Sequence, residues 1–282
     1  MKSTPTGLHD ILACPKCKSS VTLTDVEAIC TSCAQTVALF ENGVWACGRI
    51  GRSYFDSRFE TMEDSYSNAG VQEIFYRRQS HSVQQIIGPG SVVLDVGCGA
   101  RMRYASRPDA TIIGLDPSFA SVAQNTAGIR ICASAAEMPI QDSSIDLIVC
   151  FYSLHHMVGL DHEGCSEQVL HAFTEFARIL RPRGNILVFE VTLPTPLYLI
   201  EMVSWKFFRS ALGSRMDMHF YSISALREIA LRATRGTMVG LKITRFSSSP
   251  FRFFPPILSI PRFRIPRILS PLSPIALHLQ RD

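Results

Sequence analysis

Val92-Val93-Leu94-Asp95-Val96-Gly97-Cys98-Gly99 is a short β-branched run that stops at two glycines flanking a cysteine. Similar runs follow at Thr111–Leu115, which ends in Asp116, at Ile129–Cys132, at Ile145–Cys150 and at Asn185–Phe189. Helix-length segments separate them, the clearest being Glu167 to Leu180. Continuous apolar strands alternating with helices describe an α/β fold, a Rossmann-like doubly wound sheet covered on both faces. Ligands in such sheets bind at the carboxyl ends of the strands. Asp95, Gly97, Gly99, Asp116 and the segment after Cys150 all fall there.

A glycine loop with an acid 21 residues beyond Asp95 marks a nucleoside site, because that acid can accept hydrogen bonds from both ribose hydroxyls. A dinucleotide fingerprint starting at Gly97 needs a glycine at position 102, which is Met102. Asp95 also stands where a pyrophosphate would meet a carboxylate. A ligand carrying an ammonium and a sulfonium is attracted instead, and S-adenosylmethionine carries both.

Further motifs extend this reading. Gly114-Leu115-Asp116-Pro117-Ser118, Ala135-Ala136-Glu137-Met138-Pro139-Ile140-Gln141-Asp142-Ser143-Ser144-Ile145-Asp146, Leu154-His155-His156 and Arg178-Ile179-Leu180-Arg181-Pro182-Arg183-Gly184 follow the glycine loop in order. Together they resemble the class I SAM-dependent methyltransferases of the ubiquinone-methylase-like, type 11 group, over about residues 70–245. The resemblance implies seven strands with a final antiparallel hairpin, for which Leu241–Phe246 and Ile275–Leu279 are the candidates. It also implies a cofactor site of Asp95, Gly97, Cys98, Gly99, Asp116, Pro117, Ser134, Ala135, Cys150 and Phe151. Asp95 would lie near the ammonium, Asp116 on the ribose, and Ser134-Ala135 beside the adenine. The chain departs from the pattern at Ser134, where an acid is usual, and at Arg101, where a third glycine is common. The stretch before Asp116 is short, so the helix after the loop is expected to be truncated.

The N-terminus carries a second signal. Cys14-Pro-Lys-Cys17 and Cys30-Thr-Ser-Cys33 are separated by twelve residues. Two such knuckles can present four sulfurs to one zinc ion at about 2.3 Å. The intervening Val21–Ile29 reads as a hairpin. About 40 residues bury little core, so a structural metal would supply folding energy. Redox or chance CxxC pairs are the other reading. The ribbon also resembles modules found ahead of methyltransferase domains, including rRNA guanine methyltransferases. The expected organisation is a zinc ribbon over 1–48, linker and lid helices over 49–88, and a methyltransferase domain over 89–249. A substrate cap lies near 194–233, and a Pro-rich basic connection with the final strand over 250–282.

Composition agrees with a folded protein: 46% of residues are hydrophobic and 18% charged. Met1–Leu12 lacks the apolar core of a signal peptide, and Ile186–Val203 is interrupted by Glu190, Pro194, Pro196 and Glu201. Five further cysteines, Cys47, Cys98, Cys132, Cys150 and Cys165, show no pairing pattern, which points to a reducing cytoplasm. The net charge is +4, but seven bases from Lys242 onward against Asp282 give that segment +6. It interleaves Arg252, Arg262, Arg264 and Arg267 with Phe251, Phe253, Phe254 and Phe263 among seven prolines, so no long helix fits. The segment could touch anionic lipid at the inner membrane face or RNA phosphates, or cover the substrate pocket.

Methyl transfer requires a base only when the acceptor must lose a proton. His155 and His156 are the candidate catalytic residues, with packing or loop hydrogen bonding as the alternative role; His219 and Tyr221 are more distant candidates. Tyr54, Tyr66, Tyr76 and Arg77-Arg78 precede the first strand, where related chains place a lid, and read as surface or core residues. The favoured acceptor is a small or lipid-linked metabolite, because the cap and the apolar tail suggest a greasy pocket. RNA base methylation, resting on the ribbon, and a non-catalytic scaffold are the alternatives. Nothing in the sequence fixes an oligomeric state.

Overall fold

The structure, a computed structural model, describes residues 7–47, 69–213, 218–245, 251–253, 264–266 and 272–282. The central strands are β5 (Val92–Val96), β6 (Thr111–Asp116), β7 (Ile129–Cys132), β8 (Ile145–Phe151) and β9 (Leu180–Leu193). They run parallel in the order β7-β6-β5-β8-β9. Alternate residues of these strands enter cores on opposite faces: Leu94, Ile148 and Val188 on one, Val93, Leu147 and Phe189 on the other. Burial on both faces is why the runs are continuously apolar.

β11 (Met238–Arg245) and β14 (Ser273–Arg281) complete a seven-stranded sheet. β14 is antiparallel to both β9 and β11, with Leu241 opposite Leu279. This is the expected final hairpin. β10 (Tyr221–Ser222) adds a short parallel pair to β9, and β12 (Phe251–Phe253) pairs with β13 (Arg264–Pro266). The rest of the Pro-rich connection, with Phe254, Arg262, Phe263 and Arg267, lies outside the described residues, as do Tyr54 and Tyr66.

Five helices flank the sheet among the described residues: α1 (Ala69–Ile86), α2 (Phe119–Gln124), α3 (His162–Ile179), α4 (Thr195–Leu212) and α5 (Ile223–Ala233). Side-chain oxygens cap three of them. Ser118 accepts from Ser121 N, Asp161 from Gly164 N and Ser222 from Ala225 N. Between β5 and β6, where a truncated helix was expected, residues 97–110 form only turns and bends. Pro108 and a left-handed Gly99 leave too few helix-compatible positions there.

The ribbon is not a separate bead. β1 (Val21–Leu23), β2 (Glu27–Cys30), β3 (Thr36–Glu41) and β4 (Val44–Ala46) form an antiparallel meander. β4 then pairs in parallel with β7, Trp45 opposite Ile131, so one twelve-stranded sheet runs through both parts. Covering β7 removes an exposed edge. The segment before the first knuckle adds bonds: Ala13 N donates to Pro139 O, Gln141 N to Ile11 O, and Gln141 Nε2 to His9 O.

Candidate active site and cysteine centre

The carboxyl ends of β5, β6 and β8 open into a cleft of about 370 Å³. Asp95, Gly97, Cys98, Gly99, Asp116, Pro117, Ser134, Ala135 and Phe151 all line it. Cys150 does not. It is fully buried in the core on the other face of β8, because neighbouring strand residues point to opposite sides.

The glycine loop is held by hydrogen bonds to its backbone. Gly99 N donates to Asp116 Oδ2 at 2.9 Å, and Ser118 N to Asp116 Oδ1 at 2.8 Å. Asn125 Nδ2 donates to Gly99 O at 2.8 Å and to Cys98 O at 3.3 Å. Two glycine positions carry distinct requirements. At Gly97 (φ 66°) a Cβ would lie 1.9 Å from Ser153 Oγ. Gly99 (φ 55°) has no heavy atom within 4 Å of a Cβ position, so its left-handed backbone borders open space that a ligand can approach.

Asp95 is 2% exposed, and burial pushes its carboxyl up to about 7, against the pull of Tyr104 and Arg103. A buried carboxyl on the wall of a cleft suits an ammonium ligand. Arg101 and Arg103 also line the cleft, so both charge types needed for an amino-acid end are present.

Several lining residues were not singled out from the sequence. Tyr76, read there as surface or core, stands on the cleft wall, where its ring lies edge-on to Phe151 and Tyr152 and 4.7 Å beneath the Arg103 guanidinium. Gln79 donates to the Tyr152 hydroxyl and Ser80 to Arg103 O, which fastens α1 over the cleft. Tyr152 itself holds a left-handed φ of 51°, a strained conformation for a non-glycine residue at a strand end. Met157, Val158 and Gln168 complete the wall. Only the fold-back of α1 and the 157–168 segment brings these residues together, so local patterning held no signal for them.

The paired histidines separate. His156 lines the cleft. His155 is buried, its Nδ1 lies 2.7 Å from Glu190 Oε1, and its ring stacks on Phe220. Glu190 Oε2 also accepts from Leu154 N and His155 N. His155 is thus held among buried groups by Glu190 and Phe220, and does not line the cleft. His219 and Tyr221 are fully buried under α4, away from the cleft; burial pushes the His219 ring down to about 3.

At the other end, Cys14, Cys17, Cys30 and Cys33 bring four sulfurs within 4.8 Å of one another, and all are free thiols. The sulfurs lie 3.8 Å apart for Cys14–Cys33, 3.4 Å for Cys17–Cys30 and 4.0 Å for Cys17–Cys33. A tetrahedron with metal–sulfur bonds of about 2.3 Å has edges of about 3.8 Å, so the set can hold a metal. The knuckles repeat one geometry: Lys18 N donates to Cys14 O and Ala34 N to Cys30 O, with Lys18 and Ala34 both left-handed. Cys30 Sγ accepts from Ser32 N and Cys33 N, both at 3.4 Å. Lys18 then reaches Glu175 at 3.2 Å, and Glu175 is also bound by Arg178 and by Met138 N.

Comparison with known proteins agrees with this geometry. Residues 94–188 match the family model described as a methyltransferase domain. An uncharacterized methyltransferase of Synechocystis sp. is 25% identical over 193 residues, 60% of this chain and 87% of that protein. Demethylmenaquinone methyltransferase of Bacillus cytotoxicus is 22% identical over 225 residues, 69% of this chain and 89% of that protein. Among solved structures, a chain of the complex between the Haloferax volcanii Trm112 methyltransferase activator and a methyltransferase superposes with a TM-score of 0.54. It shares 17% identity and covers 82% of this chain and 98% of that one. Residues 94–188 are thus a methyltransferase domain, and the parallel sheet with its final antiparallel hairpin is the class I SAM-dependent methyltransferase fold.

Proposed function

We propose that the acceptor is a small or lipid-linked apolar metabolite. The observation that carries this is the apolar part of the cleft lining, where Tyr76, Phe151, Tyr152, Met157 and Val158 line the same cleft as His156. Rings and thioethers of this kind enclose an apolar or aromatic acceptor and exclude water. The likeness to a demethylmenaquinone methyltransferase supports the same class.

S-adenosylmethionine supplies a methyl carbon already activated by its sulfonium. The chain's own residues bind and align. Asp116 would hold the ribose, Asp95 the ammonium, Arg101 or Arg103 the carboxylate, and Ser134-Ala135 the adenine edge. His156, on the cleft lining, would take a proton from an acceptor hydroxyl or ring carbon, while His155, held by Glu190, would fix the loop that carries it.

The four cysteines would hold one structural zinc, which leaves no open coordination position for chemistry. RNA recognition by the ribbon is the weaker reading, since β4 and Lys18 are engaged on the methyltransferase domain. Incubating the protein with methyl-labelled S-adenosylmethionine and either a prenylated-quinone precursor extract or total RNA decides between them. Label in the organic phase is expected; label in RNA would overturn the assignment.

A further inference from the structure

α4 has two apolar stripes instead of one. Tyr198, Glu201 and Trp205 turn inward. The Tyr198 hydroxyl meets His162 Nε2 at 3.3 Å, Trp205 Nε1 donates to Gly159 O at 3.4 Å, and Glu201 Oε1 accepts from Phe220 N. On the opposite side, Ile200, Val203 and Phe207 recur at the same three- and four-residue spacing and are 64%, 79% and 70% exposed. A helix packed on a globular core ordinarily shows polar side chains there.

The charges on this helix select an occupant. Its one acid, Glu201, is the residue turned inward, whereas Lys206 is exposed and Arg209 partly so. An exposed face of apolar and aromatic side chains, on a helix whose outward charges are Lys206 and Arg209, fits the interface of an anionic bilayer. No helix among the described residues is long and apolar enough to cross a membrane, so such a helix would lie in the surface plane. The chain's positive surplus also lies beyond this helix, from Lys242 onward.

We propose that the outer face of α4 docks the enzyme on an anionic lipid surface. The docking would hold the segment beside the cleft near the bilayer, because Trp205 bonds Gly159, which adjoins the cleft-lining Val158. Insertion of Ile200, Val203 and Phe207 gives apolar burial, and Lys206 adds a salt-sensitive attraction. The surface rests on this helix face and not on the acceptor proposed above.

The test is sedimentation of the full chain with phosphatidylcholine vesicles, with and without about 30% phosphatidylglycerol, in the absence of any acceptor. Wild type should bind the anionic vesicles more tightly than the neutral ones, and less at raised salt. Ile200→Ser with Val203→Glu and Phe207→Glu should weaken this on the order of tenfold or more. S-adenosylhomocysteine binding, measured on the same preparation, should be unchanged and shows that the variant is folded. Should that binding be lost, the single change Val203→Glu replaces the triple and should weaken vesicle binding severalfold. Wild type that does not bind vesicles overturns the proposal, as does a folded variant that binds as well as wild type. So does a wild-type dimer that becomes monomeric in the variant, which would make this face an interface between copies.

Discussion

Gly99 N donates to Asp116 Oδ2 at 2.9 Å, so the carboxylate expected to hold the ribose also holds the loop on which the cofactor's amino-acid end would lie. Ser118 N occupies the other carboxylate oxygen. A carboxylate oxygen has two lone pairs, so one N–H bond does not exhaust its capacity to accept from a ligand hydroxyl. Both strand ends of the site are therefore fastened through one side chain.

Asp116→Ala should weaken S-adenosylhomocysteine binding by about 1.5–3 kcal/mol, as for hydrogen bonds to a charged group. Asp116→Asn keeps one acceptor and should lose less. Titration calorimetry of the three proteins gives the order. Equal affinity in wild type and Asp116→Ala would place the nucleoside elsewhere.

Asp95 makes binding pH-dependent. Its carboxyl sits at about 7 in the free protein, and a ligand ammonium favours the ionised form. Binding therefore releases a proton below that pH. Affinity for S-adenosylhomocysteine should rise from pH 6 to pH 8 and level off above the free-protein value. The unliganded fold responds in the opposite sense. A carboxyl raised above its ordinary 3.8 contributes most to stability when protonated, and that contribution is lost as pH rises toward 7. Asp95→Asn should flatten both profiles. A wild-type affinity independent of pH over this range would remove Asp95 from the ammonium's neighbourhood.

The central strands were legible because burial on both faces leaves continuous apolar runs, and the knuckles because their spacing is dictated by one ion. β4 was not: Val44–Ala46 is three residues long and becomes a strand through pairing with β3 on one side and β7 on the other. α4 was read as an interrupted apolar stretch because of Pro194 and Pro196. In the structure Pro194 is the N-cap and Pro196 lies in the first turn, where the missing N–H costs nothing. The site shows the same division. Asp95, Gly97, Gly99 and Asp116 lie at strand ends, where pattern alone places them. Cys150 and Phe151 differ by one step along β8, which decides core against cleft. Tyr76 reaches the cleft through α1, a relation between distant segments that periodicity does not encode.

The ribbon should be coupled to the larger domain. Purified protein is expected to hold one zinc per chain, and Cys30→Ser to lose it. β4 covers the edge of β7, and Lys18, in the first knuckle, binds Glu175. Loss of the metal should therefore lower the melting temperature of the whole chain and expose the β7 edge to aggregation. Lys18→Ala removes only a partly exposed ion pair, worth about 0.2–1 kcal/mol, and should keep the zinc. Metal analysis with thermal melts distinguishes the two. A Cys30→Ser protein melting like wild type would show that the ribbon is energetically separate.

The two histidines give opposite expectations. His156 faces the cleft, whereas His155 is buried against Glu190 and Phe220 with its Nδ1 engaged at 2.7 Å. If the acceptor loses a proton during transfer, His156→Ala should reduce kcat by about 10²–10⁴-fold while leaving S-adenosylhomocysteine affinity near wild type. His155→Ala removes a support and leaves Glu190 a buried carboxylate with one partner fewer, so its effect should appear in stability as well as rate. Glu190→Gln keeps a side chain of the same shape and should retain much of the fold, with the rate close to wild type because His156 is intact. A His156→Ala enzyme with the wild-type rate and pH profile would mean that proton loss is handled by solvent or is not part of the reaction.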